Sequence, residues 1–344
     1  MSGKKALQKA IDDTNKVEKA VNFFIKTKRD YDIEFLYHDR PNKFKVKPVK
    51  RKALSIRNFL LKIEKKWGDV DFLLLLGGDN VIPFFRLENP CDDGDETVLS
   101  DNPYASKDDD FLIPDRVCAR IPDNQDANFI IKLLRKSHKN TRQAFGITAK
   151  VWREASENVY RQIGNLKDLK VSPPITSDKF KPQWLQNKDF LYFNLHGTKV
   201  SANWYGQDNE DYPVALRPQN IIDASGLATS EACYGAYIIK KSHQDAMVLK
   251  FLSQDGIYGF CGSTTISYGP VSPPSTEADL LAKYFFEYIK QGLTIGESLK
   301  NAKIDFARKA LRRHGFLDDD DQKTLLQFVL YGDPTLRMRH RVKE

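Results

Sequence analysis

The stretch Asp71-Phe72-Leu73-Leu74-Leu75-Leu76-Gly77-Gly78-Asp79 restricts the fold of this chain more than any other. An unbroken apolar run leaves no polar face, so it suits neither a half-exposed strand nor a surface helix, and it ends at two glycines. A strand covered on both faces reads this way. Comparable runs occur at 116–121, 190–195, 226–232 and 256–261. Segments with apolar residues at helical spacing lie between them, at 126–139, 150–164, 243–253, 276–291 and 296–313. Two more, 4–28 and 52–67, precede the first run. Strands alternating with helices of this length predict an α/β fold, a mostly parallel open sheet with helices on both faces.

With 344 residues, 41% hydrophobic and 29% charged, the chain can bury a large core, and neither disorder nor a small disulfide scaffold suits it. The net charge of +8 is unevenly placed: residues 1–70 hold 19 Lys/Arg against 9 Asp/Glu, whereas 71–344 hold 35 against 37. The expected organisation is a basic, helix-rich segment, 1–70, packed on a domain formed by 71–344. No aromatic residues interleave with those lysines in an RNA-binding pattern, so a solvated helical face is the simpler reading and nucleic acid is not an expected partner. No apolar run approaches the ~20 residues that span a bilayer, and the start MSGKKALQKA lacks the apolar core of a secretory signal. A cytoplasmic location without a membrane partner is therefore expected. Cys91, Cys118, Cys233 and Cys261 form no CxxC pair and read as single thiols.

In an open α/β sheet the active crevice lies beyond the carboxyl ends of the strands. Four such ends stand out: Gly77-Gly78-Asp79, His196-Gly197, Glu231-Ala232-Cys233-Tyr234-Gly235 and Gly262-Ser263-Thr264. One brings a histidine and one a cysteine. A cysteine attacks as its thiolate, and an adjacent imidazole can take the thiol proton and return it to the leaving group. Neighbouring strands run about 4.8 Å apart, so residues just past their ends can face each other. Gly197 leaves room for a substrate carbonyl and could offer its N–H, with that of Cys233, to an oxyanion. GxGxxG, GxxxxGK[ST], HExxH and GxSxG are all absent, which argues against nucleotide-binding, zincin and serine-hydrolase chemistry.

The His-Gly and Glu-Ala-Cys-Tyr-Gly pair resembles that of the caspase-like cysteine peptidases of clan CD, and within them the chain is most similar to the gingipain-type family C25. Supporting segments are Leu74 to Asp79 with Ile82-Pro83, Ser100-Asp101-Asn102-Pro103-Tyr104, Asp115 to Pro122, and Leu330 to Leu336. The resemblance implies a caspase-like fold and a cysteine endopeptidase cutting after Arg or Lys. It implies Cys233 as nucleophile, His196 as general acid and base, and the Gly197 and Cys233 N–H groups as oxyanion hole. By position, Asp101 would orient His196. An acid of Asp108-Asp109-Asp110, with Asp110 favoured, would hold the basic side chain, and Ser263, Thr264 and Tyr268 would wall its pocket. The acidic run 92–96 offers carboxylates of the kind that bind calcium in this family; no other cofactor is expected. Activity would be gated, as in a zymogen, by a regulatory partner or by an activating protease cutting after Arg217 in the 207–220 loop or Arg313 in 312–315. The competing reading is a non-catalytic caspase-like scaffold whose basic N-terminus binds a partner or nucleic acid.

Overall fold

The structure, a computed structural model, describes residues 1–138, 141 and 143–338. In chain order the elements are α1 (Lys4–Ala10), α2 (Thr14–Thr27), α3 (Ala53–Trp67), β1 (Phe72–Leu76), β2 (Phe85–Glu88), β3 (Thr97–Ser100), α4 (Asn102–Ala105), β4 (Val117–Ile121), α5 (Ala127–Leu134), β5 (Ala144–Ala149) and α6 (Arg153–Tyr160). They continue with β6 (Leu169–Ser172), β7 (Phe190–Asn194), β8 (Trp204–Tyr205), β9 (Val214–Leu216), β10 (Ser225–Ser230), α7 (Met247–Leu252), β11 (Gly256–Ser263), α8 (Glu277–Lys290), α9 (Ile295–His314), α10 (Asp319–Gln327) and β12 (Phe328–Gly332). Eight strands form one sheet in the order β1-β4-β12-β11-β10-β7-β5-β6. All pairs are parallel except β11 with β12.

The apolar runs are buried on both faces as expected. Leu191 and Phe193 of β7 join one apolar cluster with residues of α2, α3, α5 and α7. Phe190 and Tyr192 of the same strand join another with residues of α6, α8 and α9. This alternation places helices on either side of the sheet. Of the basic segment, Leu7, Val17, Val21, Ile56 and Phe59 lie in the first cluster, and the Met1 carbonyl accepts the Leu76 N–H at the open edge of β1. Its lysines face outward while its apolar stripe is part of the core. The helix expected over 4–28 is two helices, because the carboxylates between them are used elsewhere. Asp13 caps α2 by accepting the Lys16 N–H, and Asp12 accepts the Ala127 N–H at the start of α5.

Three of the segments that carried the resemblance are joined by one fully buried residue, Arg120 on β4. Its guanidinium donates to both carboxylate oxygens of Asp101 (2.9 and 2.6 Å), to the Gly77 carbonyl (2.9 Å) and to the Ile82 carbonyl (2.6 Å), and it lies 4.1 Å from the Phe84 ring centroid. Gly77 itself has φ +120°, and a Cβ there would fall 2.3 Å from that of Val81. Only glycine fits that turn. Because Asp101 is buried with its charge matched by a single cation, Arg120→Met strands a buried carboxylate and should lower unfolding free energy by about 3–5 kcal/mol. The double change Arg120→Met with Asp101→Leu should recover part of that loss, as read from urea unfolding midpoints.

Candidate active site

β7 and β10 are parallel neighbours, with Phe193 opposite Ser230. The segments that follow them therefore leave the sheet side by side, carrying His196 and Cys233. Their contact is tight: a Cβ on Gly197 would fall 2.1 Å from the Cys233 carbonyl oxygen. Among the described residues neither the Gly197 N–H nor the Cys233 N–H has a hydrogen-bond partner, so both remain for a substrate oxygen. Tyr234, next to Cys233, holds φ +56°, a conformation that non-glycine residues adopt at a cost and mostly at functional sites.

The Cys233 thiol is half-buried. It accepts the Ser267 N–H (3.2 Å) and points its own hydrogen at the Ser267 carbonyl (3.5 Å). Burial pushes its pKa up, and the Ser267 N–H opposes that only partly. Burial lowers the pKa of His196 against a smaller opposing effect from Gln207. At neutral pH both groups therefore rest uncharged, Cys233 as a thiol and His196 as an imidazole. His196 is placed by backbone bonds to Tyr205 (2.9 Å each way), by Nε2 against the Gln207 side-chain oxygen (2.8 Å), and by the rings of Trp152 (4.3 Å) and Tyr212 (5.2 Å).

Cys233 opens onto a small cavity lined by Trp152, Asn194, Glu231, Tyr268, Gly269 and Asp279, among others. That space, about 20 Å³ in the free protein, holds little more than one water molecule, so a substrate side chain has to part its walls to enter. Glu231 is 6% exposed and Asp279 0%, yet neither carboxylate has a hydrogen-bond partner; the Tyr192 hydroxyl is near Glu231 but outside hydrogen-bonding geometry. Burial raises both pKa values, and neighbouring carboxylates add to the rise: Asp279 acts on Glu231, and Glu277 on Asp279. Buried carboxylates without a counter-charge are rare because desolvation penalises them heavily. Asp279 has one mitigating feature, its place in the first turn of α8, where the helix dipole favours negative charge.

A clamp holds the wall of this cavity. Lys323, completely buried, pairs with Asp93 (2.5 Å) and Asp95 (2.8 Å). Asp93 accepts the Tyr268 hydroxyl (2.5 Å), while Asp95 accepts the Tyr234 hydroxyl (2.6 Å) and the Ile266 N–H (2.8 Å). The β2–β3 loop thereby fastens Tyr234, the residue after Cys233, to the segment facing the Cys233 thiol. Burial alone would raise the Asp93 pKa, but Lys323 and Tyr268 hold it down at about 2. Of the acidic run 92–96, Asp93 and Asp95 thus share an internal ammonium, and among the described residues no group of three or more His, Cys, Asp or Glu is arranged for a metal ion.

Other expected site residues lie elsewhere. Asp101 serves Arg120, not His196. Asp108, Asp109 and Asp110 are exposed; Asp109 pairs with Arg57, and Asp110 accepts the Leu112 N–H. Ser263 and Thr264 point into the interior, where their hydroxyls donate to the Thr265 and Leu99 carbonyls (2.7 and 2.6 Å), and only Tyr268 of that trio lines the cavity. Arg217 is half-buried, pairs with Asp178 and precedes Pro218. Arg313 is in the last turn of α9, near Glu277 and Asp321. Trp152 and Asp279 were not singled out from the sequence, Gln207 only as the start of the 207–220 loop, and Glu231 only as part of the cysteine motif.

Comparisons with known proteins agree with this geometry. Two solved structures share the fold: the complex of Porphyromonas gingivalis RgpB pro- and mature domains (TM-score 0.67, 14% identity, 94% of this chain and 78% of that one) and the Arg specific cysteine proteinase gingipain R, RgpB (TM-score 0.65, 14% identity, 94% and 76%). No individual curated sequence matches. The family model described as peptidase family C25 matches residues 14–339. A chain matched over almost its whole length, with a caspase-like sheet that brings a histidine and a cysteine to adjacent strand ends, belongs to peptidase family C25 and is a cysteine endopeptidase.

Proposed function

We propose that this endopeptidase cuts after Arg or Lys through a Cys233–His196 dyad. The observation that carries the reading is the pair of buried, unpartnered carboxylates, Glu231 and Asp279, in the cavity onto which Cys233 opens. They replace Asp108, Asp109 and Asp110 as the acids that receive the basic side chain. A guanidinium or ammonium entering the cavity supplies a counter-charge that lets these buried carboxyls ionise, and the resulting charge-assisted pairing is binding energy reserved for cationic residues. One structural relative is itself described as Arg specific.

With that side chain seated, the scissile carbonyl would sit over Cys233 with its oxygen toward the Gly197 and Cys233 N–H groups. His196 takes the thiol proton as sulfur attacks, the oxyanion is held by the two N–H groups, and the imidazolium protonates the departing amine. Water then attacks the thioester, activated by the same imidazole, and releases the acid. Restraint on the resting enzyme fits the neutral thiol held by Ser267 better than cleavage at the two sites considered. The Arg217–Pro218 bond is a tertiary amide, and Arg313 is helical, whereas proteases bind extended chain.

Cys233→Ala should abolish hydrolysis of Arg-containing fluorogenic peptides, and an Arg chloromethyl ketone should label Cys233 alone among the four thiols by peptide mass mapping. Asp279→Asn should raise KM for an Arg substrate by about 30-fold, the loss of about 2 kcal/mol of charge-assisted binding, while sparing a norleucine analogue. The free enzyme should respond in the opposite sense. Each raised carboxyl pKa lowers stability as pH climbs from the usual carboxylate range toward the folded-state value, so Asp279→Asn should increase Tm at neutral pH by about 2 °C. For the same reason the ratio of kcat/KM for Arg over norleucine substrates, in which titration of the dyad cancels, should fall on acidification at a pH well above about 4. EDTA should alter neither Tm nor activity, because Lys323 already neutralises Asp93 and Asp95.

A further inference from the structure

We propose that Gln207 is the positioning residue for His196: its amide oxygen fixes the proton on Nε2 and leaves Nδ1 as the base of the dyad. The inference rests on the dyad reading above. The donor and acceptor ends of the amide are settled by its other partners. Gln207 Nε2 reaches the Asn209 backbone carbonyl (3.0 Å) and the Tyr212 hydroxyl (3.0 Å). A carbonyl only accepts, so the NH₂ end must face Asn209 and the oxygen must face His196. The amide oxygen also only accepts, so the imidazole nitrogen 2.8 Å away must carry a hydrogen. A neutral imidazole protonated at Nε2 has a single basic nitrogen, Nδ1.

Local structure makes this bond a fixed feature of the site. His196 and Tyr205 exchange two backbone hydrogen bonds, which tie the start of the β8–β9 hairpin to the catalytic segment and bring Gln207 to the ring. Trp152 and Tyr212 pack against the imidazole and limit its rotation, and Tyr212 also bonds Gln207. The adjacent acid, Asp208, is turned to Lys150 at 2.7 Å. A neutral acceptor is therefore used where a carboxylate could have stood. It sets the tautomer without adding negative charge beside the imidazole, so the ring stays neutral and ready to accept the thiol proton.

The tautomer can be read without any peptidase activity. Long-range ¹H–¹⁵N spectra of the full chain labelled with ¹⁵N-histidine, with the signal identified by its loss in His196→Asn, should show Nε2 protonated and Nδ1 bare. Gln207→Met should convert that pattern to a tautomer mixture and lower kcat about tenfold, the worth of one oriented hydrogen bond, with KM changed less than about twofold. Gln207→Glu restores an acceptor but adds the charge that Gln207 avoids, so it should raise the imidazolium pKa and, above that pKa, restore the single tautomer with kcat within about threefold of wild type. A wild-type His196 protonated on Nδ1 would overturn the proposal even if Gln207→Met failed to fold. So would a folded Gln207→Met with unchanged spectrum and kcat. Failure of the dyad reading appears separately, as activity persisting in Cys233→Ala.

Discussion

The site depends on the parallel pairing of β7 with β10. Phe193 opposite Ser230 fixes where both chains leave the sheet, and the Gly197 backbone then rests against the Cys233 carbonyl. A side chain at Gly197 would force the two segments apart and separate the histidine from the thiol. The surrounding interactions hold this junction. Thr265 accepts the Tyr234 N–H, Ser263 accepts the Ala236 N–H, and Asp95 restrains the Tyr234 hydroxyl. Strained backbone at Tyr234 persists because these contacts over-determine it.

Charge is treated in two opposite ways within a small volume. Around Lys323 two carboxylates, Asp93 and Asp95, share one ammonium and are hydrogen-bonded to Tyr268, Tyr234 and the Ile266 N–H, and the result is a rigid wall. Around Cys233, Glu231 and Asp279 are buried unmatched and lower the stability of the free enzyme. Proteins tolerate such destabilisation where function uses it. A cationic substrate side chain would complete in the cavity what Lys323 completes in the clamp.

Much of the fold was legible because apolar runs and amphipathic segments report burial directly. His196 and Cys233, the proposed catalytic pair, were legible because each follows such a run. The acids were not, since Asp108-Asp109-Asp110 has the composition of a binding loop and of a solvated one alike, and packing put it outside. Asp279 arrives at the cavity only because α8 begins where the Ser267–Gly269 segment passes, with the Ala278 N–H bonded to the Tyr268 carbonyl. Nothing in local periodicity marks that approach. Ser263 and Thr264 were misplaced because β11 extends to Ser263, beyond the 256–261 run, so that their hydroxyls are inside the sheet. Gln207 depends on a two-residue strand, β8, too short to leave a pattern.

The account turns on where a cationic side chain goes when it enters the enzyme. A crystal structure of the protein alkylated at Cys233 by an Arg chloromethyl ketone measures that directly. The guanidinium should occupy the cavity, with nitrogens within about 3 Å of Glu231 or Asp279 carboxylate oxygens. A guanidinium lying in solvent or against Asp108, Asp109 or Asp110, with Glu231 and Asp279 still unpaired, would contradict it.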